Sequence, residues 1–273
     1  MFFSASGDGM VVLWDLLHPD EGQVIARLPN SIYALRYVPS VGYLVAGHNY
    51  EGIHLLNVEN KKEEGSLKLT DAAIFDIQYT KDHLYVGTGE GVLLKIDAAS
   101  MTVRSKIRCS DRSLRTIAIN EDAGEIAAAF SDHRVRILDL DLKQKNEIDA
   151  HANSVFTARY SPDGKHLITG SRDARLKFWN VASGYEKEDE IVAHMYAINH
   201  LDYSPDAKHF VTCSLDKTLK VWDASERKLL KVVDRARHGG HVTSVNKVLW
   251  TDHQNQILSA SDDRTISVWH MIF

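Results

Sequence analysis

Seven short apolar segments recur along this chain at nearly constant spacing, and that period leaves few folds open. They read MVVLWD, IHLLNV, VLLKID, VRILDL, LKFWNV, LKVWDA and ISVWHM. Trp14, Leu56, Ile96, Leu138, Trp179, Trp222 and Trp269 hold one position in them, at successive spacings of 42, 40, 42, 41, 43 and 47 residues. A unit of that size cannot bury its own apolar face, so neighbouring units must stack into one continuous core. Within a unit, runs such as SVFTARY, HLITGS and RLKFW alternate in polarity and are separated by SPDG or SRDA. That pattern predicts short antiparallel strands joined by tight turns. No stretch carries a sustained 3.6-residue apolar period free of turn residues, so the fold class is all-β with almost no helix.

The segments SPDGKHLITGSRDARLKFWN, SPDAKHFVTCSLDKTLKVWD and ILSASDDRTISVWH resemble the WD-repeat family. The resemblance runs through the whole chain, although the units ending near Leu56, Ile96 and Leu138 have lost the Trp and match by register. It implies a seven-bladed β-propeller of four-stranded antiparallel blades, one domain over residues 1–273. The opening FFSASGDGMVVLWD places Ser4, Asp8 and Trp14 at the relative spacing seen in the last three units, with no sequence for a first strand before them. The chain also stops directly after a third strand. Blade one is therefore expected to be incomplete and blade seven to lack its outer strand, which leaves the ring unsealed, through either a truncation or an open or swapped ring. A monomer is expected unless those open edges pair.

In the last three units a His precedes the Trp by 28 residues: His151 and Trp179, His194 and Trp222, His241 and Trp269. An Asp lies six before each Trp (Asp173, Asp216, Asp263), and a hydroxyl residue four before each Asp (Thr169, Thr212, Ser259). This inventory matches a hydrolase triad. A nucleophile, however, needs one exposed site with oxyanion donors, and three copies at fixed spacing argue against that. The resemblance implies instead a buried chain of hydrogen bonds, Asp to imidazole to hydroxyl to indole, that fixes the register of a blade.

Peptide-holding members of the family use the channel rim, at three and five residues after the His and one before the turn Asp. Carried onto this chain, the fifth-residue positions are Tyr33, Phe75, Arg115, Phe156, Asn199 and Asn246. The third-residue positions are Ser31, Ala73, Ser113, Ser154, Ala197 and Ser244, and Arg172 precedes a turn Asp. Aromatics interleaved with Arg115 and Arg172 are residue types enriched at binding hot spots, and the arginines suit an acidic or phosphorylated peptide. The opposing reading makes the aromatics packing residues and the arginines solvated charges.

With 32 Lys+Arg against 37 Asp+Glu the net charge is −5, the wrong sign for a general nucleic-acid binder. Apolar runs are too short to span a membrane, and the N-terminus lacks a signal-peptide pattern. Cys109 and Cys213 have no ligand or cysteine at useful spacing, which points to structural thiols in a reducing compartment, the cytoplasm. The 14 histidines fall in the repeat network or are scattered, so no metal site is expected. GTGEG at 87–91 precedes VLLKID, a strand rather than a helix, and reads as a tight turn instead of a nucleotide loop. The runs KKEE at 61–64 and EKEDE at 186–190 read as solvated outer loops. The expected function is a non-catalytic protein-interaction scaffold or peptide-recognition module without a cofactor. The alternative is a propeller hydrolase with a channel active site, which would need carboxylates or histidines converging on the rim.

Overall fold

The computed structural model describes residues 1–271. Its strands form seven sheets, each a meander of chain neighbours. The first holds β1 (Phe2–Ala5), β2 (Met10–Asp15) and β3 (His18–Arg27); the second β4 (Ile32–Val38), β5 (Tyr43–His48), β6 (Gly52–Asn57) and β7 (Lys62–Leu67). The third holds β8 (Ile74–Thr80), β9 (His83–Thr88), β10 (Val92–Asp97) and β11 (Thr102–Arg108); the fourth β12 (Leu114–Asn120), β13 (Glu125–Phe130), β14 (Arg134–Asp139) and β15 (Gln144–Asp149). The fifth holds β16 (Val155–Tyr160), β17 (His166–Ser171), β18 (Arg175–Asn180) and β19 (Glu186–Val192); the sixth β20 (Ile198–Tyr203), β21 (His209–Ser214), β22 (Leu219–Asp223) and β23 (Leu229–Val233). The seventh holds β24 (Val245–Trp250), β25 (Gln256–Ser261) and β26 (Ile266–His270). A single turn of helix, α1 (Arg235–His238), is the only helix among the described residues.

These sheets are the blades of a seven-bladed, all-β propeller, as the period implied. The 26 strands are two short of seven complete blades. Ser4 pairs with Val12 as Thr169 pairs with Lys177, so β1–β3 correspond to the last three strands of a full blade. The seventh sheet has the first three. The expectation that the chain stops directly after a third strand falls partly on residues 272 and 273, which lie outside the described residues.

The chain divides into two compact units: Met1–Ile117 with Leu138–Gln144, and Ala118–Ile137 with the residues from Lys145 onward. In both, the second strand of a four-stranded blade is buried along all but its first residue, as in YLVAGH of β5 and HLITGS of β17. Both faces of such a strand are packed, so it reads as a continuous run of small and apolar residues. Gly47 and Gly87 are part of this. A Cβ on Gly47 would lie 2.6 Å from Ile74 of the next blade, and one on Gly87 2.5 Å from Leu114. The missing side chains let adjacent blades close.

The charged runs are not loops. EKEDE begins β19, and KKEE leads into β7. Outermost strands pair along one edge only, and most of their residues are exposed, so charge costs little there and blunts the free edge. The GTGEG turn is as expected, with Gly91 at φ 75° joining β9 to β10.

Candidate functional site

The three hydrogen-bond chains form as the spacing implies. In the fifth blade His151 Nδ1 lies 3.0 Å from Asp173 Oδ2 and its Nε2 2.8 Å from Thr169 Oγ1, which also accepts from Trp179 Nε1 at 2.9 Å. The sixth blade repeats this with 2.9 Å between His194 and Asp216, 2.8 Å to Thr212, and 2.9 Å from the Trp222 indole. In the seventh, His241 is 3.0 Å from Asp263 and 2.8 Å from Ser259, and Trp269 donates at 2.8 Å. Blade one keeps the half that its sequence contains: Trp14 Nε1 donates to Ser4 Oγ at 2.8 Å, and Asp8 caps the turn through the amide of Met10.

Burial pulls the pKa of His151 and His194 below the ordinary imidazole value, against the pull of their Asp partners. Burial likewise raises Asp173, but hydrogen bonds from His151 and the amides of Arg175 and Ala152 prevail and hold it at about 2. A neutral imidazole therefore donates to a carboxylate and accepts from the hydroxyl. Thr169 and Thr212 have no exposed surface, and each hydroxyl already holds an indole and an imidazole. Such hydroxyls reach no substrate, so this geometry is that of a register lock, not a nucleophile.

Blades two to four substitute other contacts at the same positions. Leu28, Ala46 and Leu56 occupy the His, hydroxyl and Trp positions of blade two and lie in one buried cluster with Val11, Ile25 and Leu44. In blade three Thr70 donates to Glu90 at 2.9 Å across the His and Asp positions. In blade four Asp132 pairs instead with Arg136, at 2.9 Å.

The fifth-residue positions share a structural cause that the sequence did not reveal. Each is the second residue of a blade's first strand, and at five of the six the pairing register skips it: Ile32 and Ala34 are paired but not Tyr33, and the same holds for Phe75, Phe156, Asn199 and Asn246. A bulge releases a residue from the ladder and re-aims its side chain. Three of these side chains stack in the first unit. The Tyr33 and Phe75 rings are 5.5 Å apart, and the Arg115 guanidinium lies 4.1 Å above the Phe75 ring. Tyr33 remains 45% exposed, which makes it available to a second molecule.

The remaining expected positions behave differently. Asn199 Nδ2 donates to Ser244 Oγ at 2.9 Å and to the Val245 carbonyl at 2.8 Å, so it ties the sixth blade to the seventh. Ser244 in turn donates to Asn246. Ser31, Ser113 and Ser154, three residues after the His position, donate to carbonyls of Gly7, Gly89 and Ser131 in the preceding blade. These serines are latches between blades. Arg172 is exposed on the β17–β18 turn.

Sequence reasoning passed over one cluster. His48, Glu51 and His54, among histidines read as scattered, meet at one end of the β5–β6 hairpin, with ligand atoms all within 4.8 Å of one another. The i, i+3, i+6 spacing around a hairpin turn was its available signal.

A family model described as WD domain, G-beta repeat matches residues 142–180, 186–223 and 232–270. Each match ends at or just past the Trp of one of the three complete hydrogen-bond chains. Among curated proteins, the WD repeat-containing protein SL1-17 of Schistosoma mansoni is 22% identical over 66% of this chain and 47% of its own length. A periodic tryptophan protein 2 homolog of Mus musculus is 29% identical over 45% of this chain and 13% of its own. Polyadenylation factor subunit 2 of Candida albicans is 25% identical over 58% and 31%. The chain thus spans less than half the length of these relatives.

Proposed function

The chain is a WD-repeat β-propeller, and from that premise we infer that it is a non-catalytic scaffold that holds a protein or peptide partner, acidic in character, inside the cell. The observation that carries this reading is the Tyr33–Phe75–Arg115 stack, in which bulges free Tyr33 and Phe75 from strand pairing. Rigid aromatics beside a guanidinium offer apolar area with little entropy to lose, and the cation favours a carboxylate or phosphate on the partner. Within the second unit, Phe156 and Arg172 are of the same residue types. Against a hydrolase, the six fifth-residue positions hold Tyr, Phe, Arg, Phe, Asn and Asn, with no carboxylate or imidazole among them.

The test is affinity purification of the intact protein beside a Phe75→Ala, Arg115→Ala, Phe156→Ala triple variant whose fold is verified by circular dichroism. Loss of an anchor of this kind costs about 2 kcal/mol or more, so a partner bound through these residues drops from the folded variant by well over tenfold. Identical partner sets would move the binding site elsewhere on the molecule.

A further inference from the structure

The β5–β6 hairpin carries a cluster that neither the register lock nor the aromatic stack uses. His48 closes β5, Tyr50 bends the turn at φ 77°, Glu51 follows on the turn, and His54 lies in β6. The rings are buried, with His48 at 0% and His54 at 4% exposure, whereas the Glu51 side chain is 48% exposed. Glu51 Oε2 lies 3.7 Å from His48 Nδ1 and 3.6 Å from His54 Nε2. Neither of those nitrogens has a hydrogen-bond partner. The opposite ring nitrogens are engaged: the Asn30 amide donates to His48 Nε2 at 3.0 Å, and His54 Nδ1 donates to Glu63 Oε1 at 2.8 Å. An unsatisfied buried polar group costs about 1–3 kcal/mol, so two of them aimed at one carboxylate mark a seat for an occupant.

The repeat indicates the sign of that occupant. Arg136 stands two residues before Leu138 as His54 stands two before Leu56. In blade four the Arg136 guanidinium lies 2.9 Å from Asp132 on the turn and 3.0 Å from Glu147 on the outer strand. In blade two Tyr50 holds the turn-Asp position, but Glu51 beside it and Glu63 on the outer strand bring two carboxylates to His54, which stands where blade four has the guanidinium.

We propose that His48 Nδ1, Glu51 Oε2 and His54 Nε2 form a binding site for a divalent transition-metal ion of the zinc type, open to solvent on the Glu51 side. Two imidazoles and one carboxylate suit zinc, cobalt or nickel better than magnesium or calcium, which prefer all-oxygen sites. Bonds of about 2.0–2.1 Å in a tetrahedron put neighbouring ligand atoms about 3.3 Å apart, so Glu51 has to close on each ring by a few tenths of an ångström, and the two ring nitrogens, within 4.8 Å of each other, have to draw together by up to about 1.5 Å. The His54–Glu63 hydrogen bond fixes the tautomer that leaves Nε2 open, the usual second partner of a metal-bound histidine. Ligation by His48 moves its ring proton from Nδ1 to Nε2 and turns the Asn30 amide away. Metal uptake therefore loosens the chain between β3 and β4.

The test is titration of the chelator-stripped full chain with Zn2+ by calorimetry and with Co2+ by visible absorption, together with hydrogen exchange at the Asn30 amide. The informative variant is His54→Arg, which copies blade four and keeps a cation between the two carboxylates while removing the ligand. Expected are one saturable equivalent for the parent protein, at least hundredfold weaker binding for folded His54→Arg, and roughly tenfold or greater weakening for Glu63→Gln. Asn30 exchanges faster in the metal-bound protein. If His54→Arg does not fold, Glu51→Gln takes its place with the same expectation. No saturable equivalent, or several weak ones that His54→Arg and Glu51→Gln leave unchanged, overturns the proposal.

Discussion

Asp173 serves three donors at once: the His151 ring and the amides of Ala152 and Arg175, at 3.0, 3.1 and 3.0 Å. Asp173→Ala orphans all three and is expected to cost about 2–4 kcal/mol, whereas Trp179→Phe removes one donor from a hydroxyl still paired with His151 and costs about 1 kcal/mol. Urea denaturation of the two variants checks that order, and equal losses would mean that the indole, not the carboxylate, is central. The same chain predicts a pH dependence. His151 and His194 are held below the ordinary value of 6.5, so unfolded histidines take up protons that the folded ones refuse. Stability is full above pH 6.5 and falls as the pH drops through it. A second loss starts near the ordinary carboxylate value of 3.8 and continues towards the Asp173 value of about 2. Asp202, which burial pushes up, opposes that second loss. A urea midpoint that stays flat from pH 7 to pH 5 would contradict the histidine part. The residues of this network were legible from constant spacing, because a hydrogen-bond chain across three strands tolerates no change in register.

Between elements, the repeat hides two different solutions to the same packing problem. Blades five to seven close with a full hydrogen-bond chain, whereas blade two closes with Leu28, Ala46 and Leu56 in an apolar cluster. Apolar contacts slide more easily than directed hydrogen bonds, so slower amide exchange is expected in β16–β18, β20–β22 and β24–β26 than in β4–β6, β8–β10 and β12–β14. The reverse ranking by hydrogen-exchange mass spectrometry would remove the lock from the account of stability. Turns are stringent in both cases. A Cβ at Gly91 would lie 2.1 Å from the Ser110 carbonyl oxygen at a positive φ, so Gly91→Ala is expected to lower the melting temperature by several degrees, a loss of about 2 kcal/mol or more. The bulges at Tyr33, Phe75, Phe156, Asn199 and Asn246 were not legible. A bulge adds one residue to one strand, and a length-tolerant repeat absorbs it without a mark in the sequence. The charged runs misled for a related reason: KKEE and EKEDE look like loops because an outermost strand is nearly as solvated as one.

For the molecule as a whole, seven units at a fixed period determined the class, the number of blades and the strand tally, since a unit that cannot bury its own apolar face must stack on the next. Spacing also determined the His, hydroxyl, Asp and Trp partners, because local strand geometry sets which residues of one meander face each other. Tertiary structure alone decided that Tyr33, Phe75 and Arg115 stack while Asn199 and Asn246 are tied into hydrogen bonds beside Ser244. It alone turned third-residue serines into latches on the preceding blade and gathered His48 and His54 around the Glu51 carboxylate. Each of these outcomes depends on how a bulge or a turn aims a side chain within or between blades. A period records how often such a place recurs, whereas the direction of a side chain there is set by the strands and blades packed around it.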